Sequence, residues 1–166
     1  MLLSCNDVSQ KTEKQIEKAG KEIVKQVEAA AEHMDGSHTY IGFEAGKDSC
    51  EIRMYWKDDK GVILGSLKNL KNYIEQKGDT LLYACNGGMY MENRFPLGYY
   101  IENGKTLQKI NTRTGAGNFY LKPKGVFYLG NNNLPVIQSI ETQKDRDALR
   151  LQKITYLTQS GPMLIH

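Results

Sequence analysis

At residues 97–110 the chain reads LGYYIENGKTLQKI, two β-rich runs on either side of a polar turn. Asn103 and Gly104 favour a tight hairpin here, because both residue types tolerate the positive φ that its two central positions need. A second hairpin is predicted where residues 125–129 and 134–137 flank a glycine followed by three asparagines. Together these hairpins predict a largely antiparallel sheet in this half of the chain.

The sequence before these hairpins predicts two helices and more strands. Residues 11–33 carry apolar side chains at three- and four-residue steps, which is typical of an amphipathic helix. Residues 50–56 alternate apolar and polar, as in a half-buried strand. A second helix is expected between a Ser66 cap and Gly78, and residues 80–85 predict a strand covered on both faces. We therefore expect an α/β (α+β) fold: a mixed, largely antiparallel sheet, a long N-terminal helix and one helix packed on the sheet.

Composition excludes several classes of protein. The 166 residues suit one domain, and 40% of them are hydrophobic, enough to form a core. The net charge of +3 is too small to predict a nucleic acid or an anionic membrane as partner. Three cysteines are too few for a disulfide scaffold, and no apolar run approaches the ~20 residues of a membrane span.

The chain divides into three parts: a disordered N-terminus (1–10), the amphipathic helix (11–36) and a domain (37–166). In the first part, Leu2-Leu3-Ser4-Cys5 is similar to the end of a bacterial lipoprotein signal, in which the cysteine is lipidated. No basic region or apolar stretch precedes it in the sequence as written. An ordinary terminus with a chance cysteine explains the pattern equally well. We expect an envelope or secreted protein, with Cys5 as its only membrane tether.

Several common sites for cofactors and metals are absent from the sequence. Gly115-Ala116-Gly117 begins like a dinucleotide loop, but Tyr120 stands where the third glycine belongs and no helix is predicted to follow. His33, His38 and His166 lack the spacing of metal ligands. We therefore expect neither a metal nor a cofactor.

Three polar segments with glycines are candidates for a ligand site. In the first, Asn86-Gly87-Gly88-Met89-Tyr90, the glycines would let a ligand approach the backbone and would open a concavity lined by amides. Taken by itself, that segment is better explained by a plain hairpin. The other two are Gly117-Asn118-Phe119-Tyr120 and the run from Thr158 through Gln159-Ser160-Gly161-Pro162 to Leu164. Each alone is ordinary turn chemistry, so their order matters more than any one of them.

In that order the segments resemble the phosphodiester glycosidase domain family, which is bacterial and viral and includes the mannose 6-phosphate uncovering enzyme. Two further elements carry the resemblance: Pro96-Leu97-Gly98-Tyr99 before the first hairpin turn, and a Pro-x-Gly-Val-Phe run that begins at Pro123. The resemblance covers roughly residues 40–166. Lys124 departs from it, because the family has an asparagine there, and it adds a positive charge to that turn.

The resemblance implies hydrolysis of a sugar 1-phosphodiester at the anomeric carbon, which frees the sugar and a phosphomonoester. It implies a small glycan or sugar phosphate as the partner, and these substrate-binding residues: Asn86, Gly87, Gly88, Asn118, Gln159, Ser160 and Gly161. Glycosidases commonly use two carboxylates, but the matched motifs contain none. Glu44 and Glu92 are the nearest catalytic candidates, although an exposed glutamate is the default for either.

The family's domain continues past the Gln-Ser-Gly-Pro block into an Arg-Asn-Gly-type block and an Asp-Gly block that contribute to the active site. By resemblance, then, the C-terminal part of the site is missing here, and the chain alone is weakly active or inactive. Two alternatives stay open. One is a non-catalytic envelope module that binds a glycan or sugar phosphate. The other is a fragment without a stable function.

Overall fold

The computed structural model describes residues 2–6, 43–44, 50–130 and 132–164. Within these ranges the chain forms eight β-strands, two α-helices and one 3₁₀ turn. In chain order they are β1 (Leu2–Asn6), β2 (Glu51–Tyr55), α1 (Leu67–Gln76), β3 (Leu81–Asn86), β4 (Tyr100–Glu102), β5 (Lys105–Gln108), the 3₁₀ turn (Asn118–Tyr120), β6 (Gly125–Gly130), β7 (Pro135–Ser139), α2 (Gln143–Arg150) and β8 (Ile154–Ser160). The helix predicted over 11–33 lies outside the described residues.

The strands form two sheets. One has five strands in the order β5-β4-β8-β6-β7, and the other has three in the order β2-β1-β3. Every described strand pair is antiparallel. The expected α+β fold with a largely antiparallel sheet is confirmed.

Strand β1 differs from the disordered terminus expected over residues 1–10. Its backbone pairs with β2 on one side and with β3 on the other. A strand between two neighbours has partners for its N–H and C=O groups along both edges. This pairing is the physical reason for order in residues 2–6.

Local signals predicted the hairpins and helix α1 correctly. In the β4–β5 turn, Asn103 has a φ of 51° and Gly104 a φ of 73°. The Ser66 side chain accepts a hydrogen bond from the Asn69 N–H at 3.1 Å and caps α1, and Gly78 follows the helix with a φ of 82°. These features depend on neighbours in sequence, so the sequence alone could specify them.

Strand β8 lies at the centre of the five-stranded sheet and is covered on both faces. On one face Leu157 belongs to an apolar cluster with Leu149 of α2. On the other, Tyr156 packs in a cluster with Tyr100 and with Met54 of β2, which joins the two sheets. The fold is therefore three layers deep at β8.

Strand β3 was expected to be covered on both faces, but Leu81–Cys85 are only half-buried. Helix α1 packs beside this strand through the fully buried Leu70 and Ile74. Cys85 is a free thiol whose pKa burial raises. Cys50 is disulfide-bonded, which its position in a strand-like run did not predict. Neither described helix has the length and hydropathy needed to cross a membrane.

Candidate functional site

The first two candidate segments meet in one groove, which we call the amide groove. It has a volume of about 330 Å³ and is lined by Asn86, Met89, Tyr90, Leu97 and residues 116–120. This volume lies at the lower end of the range for small-molecule sites. The fold thus brings together residues from the end of β3 and from the 3₁₀ turn, which are far apart in sequence.

Asn86 and Asn118 supply the polar groups of the amide groove. Asn86 is the last residue of β3, and Asn118 opens the 3₁₀ turn directly after Gly117, whose φ is 93°. Both side chains are exposed, and neither hydrogen-bonds to any residue in the described ranges. A primary amide offers two donors and one acceptor oxygen. Both amides are therefore available to hydroxyl or phosphate oxygens of a ligand.

Aromatic side chains form much of the remaining wall. The Tyr90 side chain is 48% exposed, whereas Phe119 is buried and meets the Tyr120 ring edge-on at 5.2 Å. An exposed tyrosine ring offers an apolar face to a sugar and a hydroxyl at its edge. Tyr90 was within the quoted motif but had no assigned role. Its position two residues after a pair of glycines was the signal.

Gln159 lies behind the groove instead of in it. The residue is 1% exposed, and its Oε1 accepts hydrogen bonds from the N–H groups of Tyr99 and Asn111, both at 2.9 Å. Its Nε2 donates to the Asn111 carbonyl at 2.7 Å. The amide expected to bind substrate is thus engaged with the backbone of two neighbouring segments.

Two glycines of the motifs are needed for close packing beside Gln159. A Cβ at Gly98 would lie 2.8 Å from both Gln159 Cβ and Phe119 Cζ. A Cβ at Gly161 would lie 2.8 Å from the carbonyl oxygens of Phe119 and Leu121. Real Cβ atoms do not approach other atoms so closely, because core packing leaves no such overlap. Gly161 therefore supports the back of the 3₁₀ turn and does not line the amide groove.

The remaining predicted binding residues also lie outside the groove lining. Ser160 is half-buried and pairs with Gly125 at the end of β8. Gly87 and Gly88 follow Asn86, are half-buried, and have no positive φ. Of the seven expected binding residues, the fold places Asn86 and Asn118 together in the amide groove.

Lys124, expected to add charge to its turn, is buried at 6% exposure. Its ammonium donates to the Arg113 carbonyl and lies 5.5 Å from the centre of the Tyr120 ring. Its backbone N–H donates to Glu141 at 2.6 Å. The lysine therefore anchors the loop that precedes the 3₁₀ turn from its buried side.

Neither candidate catalytic carboxylate lines the amide groove. Glu44 and Glu92 are both exposed, the latter in the turn that follows the first motif. No aspartate or glutamate among the described residues contributes to the lining. Within the same residues, no three His, Cys, Asp or Glu side chains gather in a way that could hold a metal ion.

A second groove adjoins the first, and we call it the Arg94 groove. It has a volume of about 220 Å³ and is lined by Trp56, Ile63, residues 65–67, Asn86, Tyr90 and Arg94. Asn86 and Tyr90 line both grooves. Arg94 and Trp56 lie outside the three candidate segments, so motif reasoning missed them.

Glu102 ties the two sheets together below Trp56. Its Oε2 accepts hydrogen bonds from the Trp56 N–H at 3.0 Å and from the Tyr100 hydroxyl. Burial raises the pKa of Glu102 despite these hydrogen bonds, which act in the opposite direction. Burial likewise raises the pKa of Tyr156 to about 12. These groups belong to the interior and do not face either groove.

The chain is similar to known proteins over the region that carries the motifs. Residues 79–166 match the phosphodiester glycosidase family. The chain is 34% identical over 132 residues to the uncharacterized protein YigE of Escherichia coli (strain K12), a match that covers 79% of this chain and 49% of YigE. The chain thus spans about half the length of that relative. No solved structure matches it significantly. The motifs and the family match agree that the chain belongs to the phosphodiester glycosidase family.

Proposed function

We propose that the amide groove binds a sugar 1-phosphodiester and that the chain takes part in its hydrolysis at the anomeric carbon. One observation carries this proposal: two asparagine side chains, from separate segments, line one groove and have no hydrogen-bond partner among the described residues. Polar groups that a protein leaves unpaired in a concave site are the usual means of orienting a ligand.

The proposed reaction suits a site with amides and few charges. Cleavage at an anomeric carbon passes through an oxocarbenium-like transition state. The departing phosphate is already a stable anion, so it needs less help from a general acid than an alcohol does. Amide N–H groups of Asn86 and Asn118 can donate to phosphate or sugar oxygens, and Tyr90 can lie against the sugar ring.

A second function has its own support. The amide groove has no carboxylate in its lining among the described residues, although hydrolysis of glycosides commonly employs two. This favours a non-catalytic module that binds a glycan or sugar phosphate. The chain spans about half the length of YigE. Hydrolysis by a protein of that full length is therefore also a proposal.

Phosphorus NMR distinguishes the two functions. The purified chain is mixed with a panel of sugar 1-phosphodiesters, and both the line shape of the diester and the growth of a monoester signal are followed. Hydrolysis yields the monoester, and Asn86→Ala and Asn118→Ala each slow it about tenfold or more, which corresponds to loss of about one hydrogen bond to a charged group. Asn72→Ala is the matched control, because Asn72 is exposed on α1.

Binding without monoester by this chain, and also by a protein of the full length of YigE, would support the module instead. The proposal fails altogether if no diester binds, or if Asn72→Ala weakens binding as much as the two groove variants do.

We also propose an envelope or secreted location. The disulfide bond of Cys50 supports it, because disulfides persist in oxidising compartments and are rare in the cytosol. Alkylation of native protein during cell lysis, followed by mass spectrometry, tests this. Protection of Cys50 is expected, and complete alkylation of Cys50 in unreduced protein would contradict it.

A further inference from the structure

The two grooves adjoin each other at two shared residues. Asn86 and Tyr90 line both of them, and the exposed Tyr90 side chain lies where they meet. A phosphodiester carries two substituents, one on each side of its phosphorus. A ligand whose sugar occupies the amide groove can therefore extend its second substituent into the Arg94 groove.

Arg94 gives the second groove a positive charge, and no carboxylate of the described part of the chain balances it. Its Nη1 donates to the Gly65 carbonyl at 2.6 Å, and within the described ranges it forms no ion pair. Among the residues that the structure describes, no acidic one lines the groove. A guanidinium has five N–H donors in a fixed fork, so donors remain for a ligand.

The backbone of Arg94 is held in an unusual conformation. Its φ is 62°, which is uncommon for a residue other than glycine, asparagine or aspartate. The Trp56 indole N–H donates to the Arg94 carbonyl at 3.0 Å, and the Arg94 N–H donates to the Met91 carbonyl at 2.8 Å. These contacts fix the arginine beside the groove before any ligand arrives, and such strain is often found at functional positions.

We propose that the Arg94 groove binds the second substituent of the phosphodiester and that Arg94 selects a substituent with its own negative charge. This inference rests on the proposed function, since it assumes that the sugar and phosphate occupy the amide groove. The inference adds the chemical class of the second substituent, which is an anionic group. No covalent step is involved.

The test compares two diesters of one sugar 1-phosphate that differ by one group. One carries a 2-carboxyethyl substituent and the other the nearly isosteric 2-carbamoylethyl. Their sugar-free counterparts, with methyl in place of the sugar, are measured in parallel by NMR titration. The carboxylate ester is expected to bind about three- to fivefold more tightly, the range for an exposed ion pair.

Variants assign the preference to Arg94. Arg94→Gln should abolish it, and Arg94→Lys should keep most of it. Lys109→Gln removes one exposed positive charge elsewhere and should leave the preference unchanged. Asn118→Ala should weaken the binding of both diesters by the same factor. Circular dichroism and melting curves of each variant check that it folds.

Equal binding of the two diesters to the unaltered chain overturns the inference, and so does a preference that survives Arg94→Gln. Failure of the proposed function gives another result: the sugar adds nothing to affinity, and Asn118→Ala has no effect. In that case an Arg94-dependent preference among the sugar-free esters would still support an anion-selective groove. Absence of binding by all four compounds overturns the inference.

Discussion

Replacing Gln159 with leucine tests whether this buried amide holds the wall of the amide groove. Leucine keeps most of the volume but removes the acceptor for the Tyr99 and Asn111 N–H groups and the donor to the Asn111 carbonyl. An unsatisfied buried polar group costs about 1–3 kcal/mol. Tyr99 and Asn111 are half-buried, so water reaches part of each, and the lower end applies. Three hydrogen bonds are lost, at about 1 kcal/mol each, so we expect a loss of about 3 kcal/mol from a free energy of unfolding of about 5–15 kcal/mol.

Urea denaturation followed by circular dichroism measures this loss. With a slope of about 2 kcal/mol per molar urea, the midpoint should fall by about 1.5 M. Gln76→Leu is the matched control, because Gln76 is exposed at the end of α1, and surface changes of this kind usually stay within about 0.5 kcal/mol. A Gln159→Leu protein as stable as that control would refute the assignment of Gln159 to the scaffold.

Three other changes have defined outcomes. Gly98→Ala should destabilise the chain by about 1–3 kcal/mol in urea titrations, because its Cβ would overlap Gln159 and Phe119. Glu102→Gln should remove a pH dependence of the free energy of unfolding. The pKa of Glu102 is raised in the folded state, so its contribution to stability is fully present below the ordinary pKa of a glutamate. That contribution is lost as the pH rises through the raised pKa. Thr142→Ala should cost about 1 kcal/mol by thermal melting, because it removes the capping box of α2.

Each of these changes has a counterpart that isolates its cause. Gly130→Ala is the control for Gly98, since a Cβ at Gly130 meets nothing closer than 3.6 Å; equal losses would contradict the packing argument. For Glu102, stability curves of wild type and variant that stay parallel from pH 4.5 to 8 would exclude the linkage. For the helix cap, Thr112→Ala at an exposed position should have no effect.

Features encoded by neighbouring residues were predictable. The Asn103-Gly104 turn and the Ser66 cap depend on backbone preferences within a few residues, and both predictions were correct. The motif order identified the family, and it placed Asn86 and Asn118 among the candidate ligands of a site.

Features that depend on distant contacts were not predictable. Gln159 looked like a ligand-binding amide, because nothing in the sequence shows that the Tyr99 and Asn111 amides lie beside it. Strand β8 was not identified as the covered strand, because its polar Thr158 and Gln159 are buried at 7% and 1% exposure. Arg94 is held beside its groove by hydrogen bonds with Trp56 and Gly65, which are distant from it in sequence.

The central position of β8 has a consequence for how the protein is made. Strands β4–β5 and β6–β7 are two local hairpins, and each can begin to form as soon as its residues are synthesised. Strand β8 pairs with β4 and with β6, yet it follows both of them in the chain. Isolated hairpins are marginally stable in water, so the five-stranded sheet can assemble on the ribosome only after residues 154–160 have left the exit tunnel. Folding of this sheet therefore depends on the synthesis of one strand, and the two hairpins made before it stay exposed until then.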